Sequence, residues 1–327
     1  MTSESPGSYF EAKSVARMAR FSAKFALAVM ILGSAVRATD SGLACPDWPL
    51  CFGKPIPFFD TRIFLEWFHR LLAGVFSILV FYMSFRILRS RDLRNQLLLP
   101  LIAFILLLAW QIILGGLTVL ELLDPHIVSW HLINAVMLYA VIEYTGIKAG
   151  FLQYRRLLPF EVKSFKLLVA LRSLTALVFI QILLGGMVSS NEAGLICPGF
   201  PKCFGTWWPD ISWLANLQML HRFLAFAIVG FSVLLTVSLM RQPLPSRVRQ
   251  VVSFLPMLVS IQILLGVLNV LWHLPVWASV AHLAVALLIF ASVFVATVEY
   301  QLFYSQTLAT ERSATGRTLS SKVQTAQ

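Results

Sequence analysis

The stretch SGLACPDWPLCFG, Ser41–Gly53, is written a second time as AGLICPGFPKCFG, Ala193–Gly205, at an offset of 152 residues. The register holds beyond the loop, because Glu66-x-x-His69-Arg70 falls on Gln218-x-x-His221-Arg222. After one residue is dropped, an offset of 151 carries Gln111 onto Gln262, Gly115 onto Gly266 and His131 onto His282. The chain is therefore two copies of one unit. Each copy has a cysteine pair and two histidines in matching places. Where the copies agree they define a shared device, and where they differ they suggest a division of labour.

The material around these motifs is apolar. Of 327 residues, 58% are hydrophobic and 13% charged, with a mean hydropathy of +0.79. Eight runs are long enough to cross a bilayer as helices: about 22–39, 64–85, 97–120, 127–147, 167–189, 215–239, 250–272 and 276–303. They do not alternate polar and apolar, as barrel strands would, and a helix satisfies its own backbone in lipid. The expected fold is all-α: a polytopic membrane protein of two repeated four-helix bundles. Its segments are 1–21 before the first span, 22–147 as the first bundle, 148–166 as a linker and 167–303 as the second bundle. A polar Ser/Thr-rich tail, 304–327, reads as disordered.

The net charge of +11 orients this protein and needs no nucleic acid. Lys13, Arg17, Arg20 and Lys24 stand at the start of the first run, and Arg86, Arg89, Arg91 and Arg94 between the second and third. Lys148, Arg155, Arg156, Lys163, Lys166, Arg241, Arg247, Arg249, Arg312, Arg317 and Lys322 fall on the same side. The opposite loops hold Asp40, Asp47, Asp60, Glu121, Asp124, Glu192 and Asp210, with only Lys54, Arg62 and Lys202 as cations. That asymmetry predicts cytoplasmic termini and cysteine loops outside. Neither a cleavable signal nor an organelle transit peptide is recognisable, so a bacterial plasma membrane is expected.

In that placement the cysteines face an oxidising compartment. The C-P-x-x-P-x-C spacing allows Cys45–Cys51 and Cys197–Cys203 bridges, either as staples or as redox-active dithiols. His69, His131, His221 and His282 fall just inside the outer ends of four spans, where an ionisable group is costly and points to function. Two facing imidazoles per bundle suit a bis-histidine haem site. Zinc would want more ligands, and a di-iron site would need carboxylates that the neighbouring helices lack. Arg70 and Arg222 follow the first histidine of each pair, as candidates for haem propionates or as arginines reaching the interface. Buried glutamines Gln111, Gln181 and Gln262 each precede small residues (Gly115-Gly116, Gly185-Gly186, Gly266), read as close helix packing or as room for a flat macrocycle. Two differences stand out: Glu66 faces Gln218, and Arg37 faces Ser189. Glu66 lies one helical turn from His69 and is a candidate for proton transfer, or a structural partner of Arg70 or Arg37.

S-G-L-x-C-P-D-W-P-L-C followed by E-x-x-H-R resembles the haem A synthase family, in its bacterial form with two cysteine pairs. The resemblance spans about residues 20–304 and includes all four histidines. It implies an oxidoreductase that converts the pyrrole methyl of haem O to the formyl of haem A through hydroxylated intermediates. It further implies haem b held by His221 and His282, substrate at His69 and His131, and catalysis by Glu66. Haem O is then the substrate, with a haem O synthase and a membrane electron acceptor as partners within the lipid bilayer. A diheme electron carrier between quinone and outside thiols, or a haem transporter, is the alternative.

Overall fold

The computed structural model describes residues 6–58, 60–154, 164–239 and 244–324. Eight long helices account for most of them: α1 Pro6–Ala38, α2 Thr61–Arg89, α3 Arg91–Leu120, α4 Pro125–Tyr154, α5 Phe165–Ser190, α6 Trp213–Leu239, α7 Ser246–Leu271 and α8 Val276–Gln324. All eight are long and apolar enough to cross a membrane, and this is a multi-pass membrane protein. Local chemistry sets the starts. Proline opens α1 and α4, where its missing N–H costs nothing. Asp60 accepts from Ile63 N at 2.9 Å to cap α2, and Ser164 accepts from Leu167 N at 3.2 Å to cap α5.

Two elements run further than the sequence suggested. Helix α1 begins at Pro6, well before residue 22. The tail read as disordered is helical to Gln324. Between Ser305 and Gln324 there is no proline and one glycine, among Leu, Ala, Gln, Glu and Arg, which favour helix even without an apolar face. Of the linker 148–166, residues up to Tyr154 belong to α4, and 155–163 lie outside the described residues.

Each set of four consecutive helices closes a ring of contacts, α1–α2–α3–α4 and α5–α6–α7–α8. The rings meet through α1, α4, α5 and α8, which leaves α2, α3, α6 and α7 on the outside. Two contacts reveal the symmetry of that meeting. Arg37 donates to the carbonyl of Ser189 at 3.1 Å. Tyr139 packs on Phe290 with ring centres 6.3 Å apart. Each residue touches its own counterpart in the other copy, as happens only near a two-fold axis. Ser129 and Ser190 share a hydrogen bond of 2.8 Å across the same seam. Glycine allows the closest approach: a Cβ on Gly186 of α5 would lie 2.8 Å from Leu132 Cδ2 of α4, beside His131.

Candidate functional site

Each of the four histidines sits against a glycine of the preceding helix. A Cβ built on Gly33 would lie 2.9 Å from His69 Cε1, and one on Gly185 2.9 Å from His221 Cε1. The same holds for Gly115 with His131 Cε1 at 3.3 Å and Gly266 with His282 Cε1 at 3.1 Å. At Gly33 and Gly185 these separations are too short for a real side chain, and at Gly266 and Gly115 they are tighter than most, so the missing methyl is space the imidazole uses. The glycines thus make room first for a histidine ring. Gly33 was missed in the sequence, although the 152-residue offset from Gly185 points to it. In the C-terminal bundle the rings of His221 and His282 stand 6.4 Å apart at 64°.

Two of the three glutamines, all half-buried, meet these rings. Gln111 Nε2 lies 3.2 Å from His131 Nδ1 and 3.3 Å from Nε2, while Asn134 Nδ2 donates to Gln111 Oε1 at 2.7 Å and Leu107 O at 2.9 Å. Gln181 Nε2 lies 3.4 Å from His221 Nε2 and donates to the His221 carbonyl at 3.0 Å. Position 29, the counterpart of Gln181, is Val29, so His69 lacks this partner.

Several groups remain unpaired. Nδ1 of His69, His221 and His282, and Oε1 of Gln181 and Gln262, are buried without a hydrogen-bond partner. Each such atom costs about 1–3 kcal/mol unless something completes it. Among the described residues no group of three or more His, Cys, Asp or Glu could hold a bare metal ion. A pair of imidazoles from facing helices would suffice to hold a tetrapyrrole iron, whose macrocycle supplies its remaining ligands. The donor set, its depth and its unpaired atoms therefore fit haem.

Above the histidines lie the two cysteine loops, folded alike. Cys45 bonds Cys51 and Cys197 bonds Cys203, with Cα atoms 4.8 Å apart in each. Glu66 Oε2 accepts from Cys45 N at 2.7 Å, and Gln218 Oε1 accepts from Cys197 N at 2.9 Å. Gln218 also donates through Nε2 to Gly194 O at 2.7 Å. The carboxylate instead pairs with Arg70 through its other oxygen. Arg70 donates to the carbonyls of Asp47 and Leu50 at 2.6 and 2.7 Å and of Cys45 at 3.1 Å. Arg222 reaches Gly199 O at 2.7 Å and Cys197 O at 3.0 Å. Both arginines clamp loop carbonyls over the bundle, each a charge-assisted bond of about 1.5–3 kcal/mol. Arg37 lies at the seam between the bundles, on Ser189.

Asp47, whose counterpart is Gly199, adds a device found in one loop only. Its carboxylate accepts from Phe52 N at 2.6 Å and Gly53 N at 2.8 Å. Those amides, Gly53 foremost, hold its carboxyl below the ordinary value of 3.8. Of the two histidines outside this arrangement, His126 begins α4 with its N–H on Asp124 at 2.9 Å, and His273 takes a left-handed turn with φ 56°.

Known proteins are similar to this chain in sequence. The heme A synthase of Shewanella oneidensis is 28% identical over 324 aligned residues, covering 87% of this chain and 96% of that protein. The heme A synthases of Rickettsia bellii and Shouchella clausii are 27% and 29% identical, over 78% and 72% of this chain and 89% and 79% of theirs. Residues 16–294, nearly all of the repeated region, match the COX15-CtaA family, described as cytochrome oxidase assembly protein. With the repeat, the paired histidines and the twin disulfide loops in place over that span, the chain belongs to the COX15-CtaA family.

Proposed function

We propose that this protein is a haem A synthase, oxidising the pyrrole methyl of haem O to the formyl group of haem A. The observation that carries the reading is one device built twice, two glycine-backed histidines under a disulfide loop, with a carboxylate in one copy only. In this reading His221 and His282 hold a resident haem b, and His69 and His131 bind haem O. Haem b, when bound, supplies a one-electron carrier that relays electrons out of the substrate site. The protein's own residues position the substrate. His69 and His131 fix the macrocycle between two helices, and Arg70 and Arg222 hold the loops over each site. Converting methyl to formyl through a hydroxymethyl stage adds one oxygen, balanced as water, and releases four electrons in two pairs to the membrane acceptor and four protons. Glu66, one turn from His69, is the acid–base group assigned to those protons.

The charge asymmetry of the loops favours cytoplasmic termini, outward cysteine loops and a bacterial plasma membrane. A haem O synthase upstream and a membrane electron acceptor downstream are the partners this chemistry calls for. The deciding experiment is expression with a haem O supply, followed by chromatography of extracted haems. Haem A should appear. A diheme carrier or a transporter would return haem O unchanged, and that result would end the assignment.

A further inference from the structure

Three differences between the copies converge on one place. Trp48 stands where the second copy has Phe200, Gly74 where it has Phe226, and Gly116 where it has Val267. In the C-terminal copy these aromatics plug the flank of α6 beneath the loop. The rings of Phe200 and Phe226 lie 6.0 Å apart, and the Arg222 guanidinium sits 5.6 Å over Phe200. In the N-terminal copy the plug is absent. A Cβ on Gly74 would meet nothing within 4 Å. The Trp48 indole lies instead on α3, where a Cβ on Gly116 would come within 3.2–3.4 Å of it.

The place of this opening matters. Helix α1 meets α2 through Gly33 against His69 and through Phe25 against Phe76, whose rings are 6.4 Å apart. Gly74 falls on another flank of α2, one turn beyond Arg70. On α3, Gly115 receives His131 and its neighbour Gly116 receives Trp48. The open position at Gly74, the notch, is therefore on an exposed flank of α2, about 7–8 Å along the helix from His69. Below it the surface continues as apolar, lipid-level side chains such as Ile78, which is 69% exposed.

We propose that this notch is a subsite for the isoprenoid chain of the substrate porphyrin. The proposal rests on the assignment of the N-terminal copy to haem O. Haem O carries a long hydroxyethylfarnesyl chain that haem b lacks. That chain has to leave a pocket shaped for a macrocycle, and an apolar notch opening to lipid lets it do so without crossing polar surface. The copy assigned to haem b has no chain to place, and Phe200 and Phe226 fill the same position. The notch thus distinguishes the two porphyrins by shape, independently of the histidines.

Gly74→Phe tests this, because the new side chain meets no protein neighbour and competes only with an occupant. Haem O and haem b are titrated by absorbance into the purified full chain, with the resident haem spectrum as the check on folding. The expected result is at least tenfold weaker binding of haem O and less than twofold change for haem b. Equal weakening of both would make the notch part of the macrocycle pocket and overturn the proposal, as would no change in either. Gly74→Ile, a smaller plug, should fall between, and decides the matter if the phenylalanine variant loses its resident haem. Phe226→Gly should leave haem O binding unchanged. If wild type discriminates as expected but forms no haem A, the proposed activity fails and the subsite stands.

Discussion

Position 66 and position 218 sit in almost the same surroundings and carry different chemistry. Both are buried, at 3% and 4% exposure, and both accept the first cysteine N–H of their loop. Gln218 completes the arrangement with a neutral hydrogen bond to Gly194 O. Glu66 completes it with an ion pair to Arg70. The comparison shows that holding the loop needs only an oxygen acceptor, which glutamine supplies. The charge is surplus to that contact, although it also pairs with the loop-holding Arg70. A surplus charge inside a membrane protein carries a desolvation cost, and function is the usual reason it persists.

The largest test of this contrast is removal of ligands. His221→Ala or His282→Ala should abolish tightly bound haem in purified protein, whereas His69→Ala or His131→Ala should leave it and eliminate conversion of haem O. Full low-spin haem in both C-terminal variants would erase the division between the copies. Next comes Glu66→Gln, which imports the C-terminal solution into the N-terminal copy. It should fold, keep its resident haem and bind haem O, yet lose about 100-fold in haem A formation, the scale for removing a proton-transfer group. Equal haem A from wild type and variant, at equal protein level, would reduce Glu66 to a loop anchor.

A smaller effect separates the glycines. Gly185→Ala forces the His221 ring aside, at a cost of about 1–3 kcal/mol, so resident haem should dissociate about tenfold faster or more. Gly33→Ala meets its ring at the same 2.9 Å but should spare the resident haem and weaken haem O. Haem-transfer kinetics to an apo-acceptor would read both, and identical behaviour would deny the assignment of separate ligands. The smallest effect concerns pH. Asp47 has its carboxyl held below 3.8 by the Gly53 and Phe52 amides. Its contribution to the first loop is therefore complete above about pH 4 and lost as pH falls through the lowered value. The second loop has Gly199 there and no such dependence. Reduction of Cys45–Cys51 should accelerate on acidification relative to Cys197–Cys203, after correction for thiolate reactivity, and Asp47→Asn should remove the difference.

Much of this was legible in one dimension. Run length and apolarity determine membrane helices, because lipid leaves the backbone no other partner. The repeat offsets located all four histidines, both cysteine pairs and the Glu66/Gln218 contrast, since a duplicated unit places equivalent residues in equivalent surroundings. Tertiary structure decided what those residues touch. Arg70 and Arg222 were legible as cations near the site, but their partners are backbone carbonyls some twenty residues away, which no side-chain pattern encodes. Arg37 gained its meaning only when the bundles docked and brought Ser189 beneath it. Gly115, Gly185 and Gly266 were visible as small residues and Gly33 was not; that each of the four accommodates an imidazole depends on the crossing of two helices. The helical reach of α8 to Gln324 escaped reading because a polar stretch shows no apolar periodicity. Sequence determined which groups exist and at what depth. Packing decided which pairs meet, because contact between helices depends on their relative rotation, and that is set by the whole bundle.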